Sequence, residues 1–182
     1  MIELENQDGA AIAAKWWREL TSEGPSAHGS RGGRRAALAR LRRAATPLDV
    51  MQEPEALRLI ALFPPHERDR AAILAGVLAF VREDANQPVA RAIGRTTPDD
   101  DRSAMMAESR FRRLLQANHR ELMDAMRRLV RLTRGKANVY DLSFSVLHWG
   151  DRVKKRWIFE YYNVWRPQTE PPQVAPNASP TS

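Results

Sequence analysis

Guanidinium groups are the chemistry this sequence offers in quantity. They come in four bursts: Arg31, Arg34, Arg35, Arg40, Arg42 and Arg43; then Arg110, Arg112 and Arg113; then Arg127, Arg128, Arg131 and Arg134; and last Arg152 with Lys154, Lys155 and Arg156. A guanidinium carries planar, permanently charged donors that match phosphate oxygens in pairs and stack on flat bases. The net charge of +7 points the same way, towards a polyanion, with nucleic acid ahead of an anionic membrane surface. No acid interrupts residues 31–43, so that run is not a surface of internal ion pairs.

Side chains suited to catalysis are sparse. His28, His66, His119 and His148 lie apart, none at metal-ligand spacing from another histidine or a carboxylate pair. His28 falls in a polar loop and His66 follows two prolines, so both read as surface residues. His148 beside Trp149 reads as a packed aromatic neighbour. Asp99, Asp100 and Asp101 suit the positive end of a helix dipole better than a divalent metal. The glycines around Ser30 lack the preceding strand and the Lys-Ser/Thr pair of a phosphate loop. There is no cysteine, which excludes disulfides and thiolate metal sites. The expectation is a protein without enzymatic activity, cofactor or metal.

The elements that must position the arginines are helical. Ala, Leu and Arg dominate, and alternating strand-like runs are nearly absent. A first helix is predicted over about Gly9 to Thr21, with Ile12, Trp16 and Leu20 on one face. A second covers about Arg34 to Ala45, stopped by Pro47. A third runs from Pro54 to Phe63. Glu67 to Glu83 is apolar over a wide arc and belongs at the centre of a core. Residues 84–101 read as a seam or long loop. Helical signal resumes from Ala104 to Asn118 and from His119 to Thr133, where Gly135 ends it. Asn138 reads as an N-cap for Val139 to Trp149, with Asp141 as a partial capping box. The last helix covers about Asp151 to Trp165.

On these helices Arg40 and Arg43 fall opposite Leu38 and Leu41, while Arg35 and Arg42 flank that stripe. Arg120, Arg127, Arg131 and Arg134 fall opposite Leu122, Met126 and Leu129; Asp124 can pair with Arg128 at i+4. Arg112 and Arg113 point outward with Arg110 at the flank. Arg152, Lys155 and Arg156 share the side away from Trp157. The predicted nucleic-acid-binding set is therefore Arg35, Arg40, Arg42, Arg43, Arg110, Arg112, Arg113, Arg127, Arg128, Arg131, Arg152, Lys154 and Lys155. Several such stripes can track a phosphate backbone, whereas no helix-turn-helix, zinc-finger or RNA-recognition pattern indicates base-specific readout. Most aromatic residues fall at core positions. Trp17, Tyr162 and Trp165 are left for base stacking or a subunit interface.

The 182 residues, 43% hydrophobic, suffice for a packed core. The expected fold is all-α: two small helical bundles packed together, residues 1–95 and 100–166, with a disordered Pro-rich tail at 167–182. The acidic start Met1-Ile-Glu-Leu-Glu and the lack of a long apolar run predict a cytoplasmic protein with no membrane partner.

The order of motifs resembles a known family. Trp16-Trp17-x-x-Leu20 precedes a Gly loop and the Leu41-Arg42-Arg43 helix. Phe111-Arg112-Arg113-Leu114-Leu115, Met126-Arg127-Arg128-Leu129, a Trp149-Gly150 turn and a basic helix ending in Tyr161-Tyr162 follow. In this it is similar to the CasB family, the small subunit of the type I-E CRISPR Cascade complex, over about residues 11–165. The resemblance implies a non-catalytic two-bundle protein, present as two head-to-tail copies beside the crRNA-bearing backbone and the large subunit. It implies that the protein steadies the target strand and the displaced strand of the R-loop. The implied contacts are Arg42 and Arg43, Arg110 and Arg113, Arg127 and Arg128, and Arg152 to Lys155. The alternative is a free-standing helical nucleic-acid-binding or regulatory module. A pure protein scaffold, its arginines facing acidic protein surfaces, is a third reading.

Overall fold

The computed structural model describes residues 8–25 and 28–164. Trp165 and the 167–182 tail lie outside them. Among the described residues ten α-helices follow one another: α1 (Gly9–Thr21), α2 (Arg31–Arg43), α3 (Pro47–Met51), α4 (Pro54–Ile60), α5 (Arg68–Leu78), α6 (Val89–Ile93), α7 (Glu108–Leu115), α8 (Leu122–Leu132), α9 (Val139–Leu147) and α10 (Asp151–Tyr161). Two-residue strands β1 (Glu83–Asp84) and β2 (Lys136–Ala137) pair in parallel, Glu83 with Lys136 and Asp84 with Ala137. The fold is all-α apart from this strap.

The caps explain the helix ends. Asp8 accepts from the Ala10 amide to open α1, and Ser30 accepts from Gly33 to open α2. Pro47 opens a helix instead of stopping one: Thr46 and Asp49 form a reciprocal capping box and Pro47 takes the first helical position, where a missing amide costs nothing. Asn138 caps α9 through the Asp141 amide at 2.8 Å. The Asp141 carboxylate does not complete a capping box. It accepts instead from the Val89 amide at 2.8 Å and pairs with Arg156 at 2.6 Å, tying α6 and α10 to α9. The expected seam holds α6 and a 3-10 turn at Asp101–Ser103 opened by Asp100.

Helix α5 is the central element, buried from Ala71 to Leu78. It packs on α3, α4, α8 and α9, while α1 lies along α9 and α6 lies along α10. Buried apolar residues from Ala13 to Tyr161 form one contiguous cluster, so the elements on either side of residues 95–100 share a core. Two glycines allow this closeness. A Cβ on Gly76 would meet Met123 Sδ at 2.8 Å, and one on Gly94 would meet the Tyr161 backbone oxygen at 2.4 Å. No helix of the described residues is long and apolar enough to cross a membrane.

Candidate nucleic-acid interface

The arginine bursts divide by where each guanidinium ends. Several end on backbone carbonyls inside the molecule. Arg127 is 4% exposed; its Nε donates to Gly76 O (3.0 Å), Nη1 to Ala44 O (2.7 Å) and Nη2 to Leu41 O (3.0 Å). It therefore caps the C-terminal carbonyls of α2 and ties them to α5 and α8. Burial lowers its pKa, with Asp124 acting in the opposite sense. This corrects the placement of Arg127 on an outward stripe: a buried side chain with three carbonyl partners has no donor face for phosphate. The signal was in the sequence, since Arg127 sits between Met123 and Val130 at i, i+4 and i+7, all three buried.

Arg34 repeats the pattern. It shares a register with Leu38 and Leu41, is 2% exposed, and donates to Gly29 O, Ser22 O and Gly24 O at 2.5–2.9 Å. These bonds hold the α1–α2 loop against α2. His28, expected on the surface, joins the same loop to the body. Its two ring nitrogens lie 2.5 Å from Glu55 and 2.8 Å from Glu19. Arg42 is half-buried and donates from Nε to Ala79 O at 2.7 Å, beyond the end of α5. Burial, and then the neighbouring Arg82 charge, lower its pKa. Arg70 reaches Val146 O and Trp149 O, each at 3.4 Å.

A second group is exposed or half-buried and engaged. Arg40 pairs with Glu53 at 2.6 Å and Arg31 with Glu23 at 2.8 Å, so acids from outside the α2 run partly neutralise it. Arg112 pairs with Glu108; Tyr162 first, then the Glu108 charge, raise its pKa. Arg156, expected on the solvent face of α10, is half-buried between Asp141 and Ser145. Lys154 sits over the Trp149 ring at 5.7 Å.

The third group faces solvent: Arg35, Arg43, Arg110, Arg113, Arg152 and Lys155 are exposed and enter no ion pair among the described residues. Arg128 and Arg131 join them. Arg128 spends only Nε, on Asp124 O at 3.2 Å rather than on the Asp124 carboxylate, and Arg131 lies over the Phe80 ring at 4.7 Å. Four of these cations converge. Arg110 and Arg113 of α7 and Arg128 and Arg131 of α8 rim one groove of about 540 Å³. Arg35 lines a second, more polar cleft of about 440 Å³ between α1 and α2, together with Arg31, Arg34 and Arg42.

Of the aromatic side chains considered for stacking, Trp17 and Tyr162 are among the described residues and pack against the body. Trp17 is buried and donates to Val81 O at 3.2 Å, which corrects its placement at a stacking surface or interface. Tyr162 is half-buried, edge-on to Phe111 and beneath Arg95. Among the described residues no cluster of His, Cys, Asp and Glu could hold a metal ion.

The family model for the CRISPR-associated protein Cse2 matches residues 37–162. The chain belongs to the Cse2 family. Its fold is similar to the crystal structure of CasB from Thermus thermophilus, with a TM-score of 0.61 at 22% identity over 86% of this chain and 99% of that one. No curated protein matches the chain. Cse2 membership gives the coarse role, that of a protein subunit of a CRISPR Cascade complex. The matched Cse2 region runs from Ala37 in α2 to Tyr162 at the end of α10. The α7–α8 groove and the α10 cations lie inside it, and Arg31, Arg34 and Arg35 lie upstream.

Proposed function

We propose that this Cse2 protein is a non-catalytic Cascade subunit that holds nucleic acid by its backbone, without sequence preference, and steadies the target and displaced strands of the R-loop. The observation that carries this reading is the set of exposed cations without acidic partners on α2, α7, α8 and α10, four of them around one groove. Cations with no internal partner are free to replace the counterions of a phosphate backbone, and releasing those counterions drives binding. Strand exchange in an R-loop is nearly balanced, as is known for Cas9-type effectors, so a few backbone contacts suffice to shift it. In this reading crRNA, the Cascade backbone and large subunits and a second copy of the chain are neighbours, and the site of action is the cytoplasm.

The residues proposed for phosphate are Arg35, Arg43, Arg110, Arg113, Arg128, Arg131, Arg152 and Lys155. Arg40, Arg42, Arg112 and Lys154 have partners inside the protein and contribute charge at the margin. The test is salt titration of single-strand binding. Four groove contacts give a slope of log K against log salt of about −3, at about −0.7 per contact. Reversing Arg110, Arg113 and Arg128 to Glu should flatten that slope and slow R-loop formation by the assembled complex. An unchanged slope and unchanged R-loop formation would remove these residues from the interface.

A further inference from the structure

The α7–α8 groove has a property that phosphate binding does not require: its floor is aliphatic. Met106, Leu114 and Ala117 form one side, and Ala125, Leu129 and Leu132 the other. Above this floor the rim carries four guanidiniums and one carboxylate, Glu121, which already accepts from the Asn118 amide at 3.2 Å. Each wall presents two cations three residues apart, Arg110 with Arg113 and Arg128 with Arg131, separated by about one helical turn. Two of its lining residues are anchored through their backbones. Tyr161 donates its hydroxyl to Met106 O at 2.6 Å, the Met106 amide donates to Ile93 O at 3.0 Å, and Trp149 Nε1 donates to Ala117 O at 3.2 Å.

A concave apolar floor between cationic walls fits a ligand with a flat apolar body and flanking negative charges. We propose that the groove captures an unpaired base of a single strand, with the arginines on the adjoining phosphates. Bases of a duplex are stacked inside it and cannot enter, so the groove distinguishes a displaced or unpaired strand from a duplex. The bordering guanidiniums supply planes for the base as well as charge for the backbone. The four-to-one charge ratio of the rim favours this strand over a protein segment of mixed charge.

This inference rests on the phosphate-binding reading and is separable from it. The full-length protein is titrated by fluorescence anisotropy against a labelled 12-nucleotide oligodeoxyadenylate and against an abasic strand with the same number of phosphates. The groove lining holds no aromatic ring, so the gain comes from apolar burial: covering about 40–80 Å² of a base at about 25 cal/mol per Å² corresponds to about 5- to 30-fold, and the base-bearing strand should bind tighter by a factor in that range. Ala125→Leu fills the groove and leaves every charge in place. It should bring the two strands to within about threefold of each other while the salt slope stays constant. Equal binding of both strands by the wild-type protein overturns base capture and leaves the groove to a protein segment. A base preference that survives in a folded Ala125→Leu protein overturns the groove as its location. Absence of salt-sensitive binding to either strand refutes the phosphate reading itself.

Discussion

Arg127→Ala separates an architectural arginine from a ligand-binding one. The guanidinium donates to three carbonyls, Gly76 O, Ala44 O and Leu41 O, at 2.7–3.0 Å, and the residue is 4% exposed. Removing it strips the end of α2 of its cap and opens a cavity beside Phe80, whose ring lies 5.1 Å from the guanidinium carbon. Part of the gross loss is offset because a charge no longer has to be desolvated. Leaving buried carbonyls without their donor costs about 1–3 kcal/mol. For a chain of this size that lowers the melting temperature by roughly 2–12 °C, at about 2–4 °C per kcal/mol. Arg127→Lys keeps the charge and loses the fork, so it should fall between the two. Circular dichroism melts measure the loss, and anisotropy below the lower melting temperature measures binding. Oligonucleotide affinity should stay within about twofold of wild type. An Arg127→Ala protein with wild-type stability and abolished salt-sensitive binding would refute the assignment and return Arg127 to the interface.

Two further substitutions probe other parts of the structure. Burial, and after it the Asp141 charge, raise the Glu160 pKa despite Arg156 and Arg91, and Glu160 Oε2 is buried without a partner. A carboxyl with a raised folded-state pKa costs stability as pH climbs from its unfolded value through the folded one. Glu160→Gln should therefore raise the melting temperature at pH 7–8 and converge with wild type in acid; a lower melting temperature at pH 8 would mean that the Arg156 ion pair outweighs burial. Gly94→Ala places a methyl 2.4 Å from Tyr161 O and 2.5 Å from Tyr161 Cα, backbone atoms with little room to yield. It should cost at least about 1–3 kcal/mol in urea unfolding, and a wild-type midpoint would show that α6 and α10 can part freely.

Helices with a single apolar stripe were legible from the sequence. Helix α1 is predicted and found over Gly9–Thr21, and the Asn138 cap bonds as its residue type requires. Pro47 misled because proline breaks a helix interior yet suits a first turn, and only the Thr46–Asp49 box decides between them. The fate of the arginines was half legible. Periodicity predicts which side of a helix faces inward, and Arg34 and Arg127 lie on inward registers. Reading every arginine as a solvated head concealed them. What sequence could not supply is the identity of the acceptors. Leu41 O and Ala44 O come from 86 and 83 residues away, and long-range carbonyls leave no local pattern. The α7–α8 groove was hidden for the same reason, since each wall reads as a separate amphipathic helix until the fold sets both around one groove.

The packing of α1 on α9 has a consequence for synthesis. Much of the buried face of α1, from Ala10 to Leu20, packs on α9, made more than a hundred residues later, and Tyr140 reaches back to Asp8. Trp16 and Trp17 find acceptors in earlier segments, Glu55 O and Val81 O, but the side of α1 that meets α9 stays open while α6 to α8 are being made. The core closes only after α9 leaves the exit tunnel. The face of α1 that meets α9 therefore closes late relative to the rest of this core, and until then the nascent chain carries an apolar strip in search of a partner.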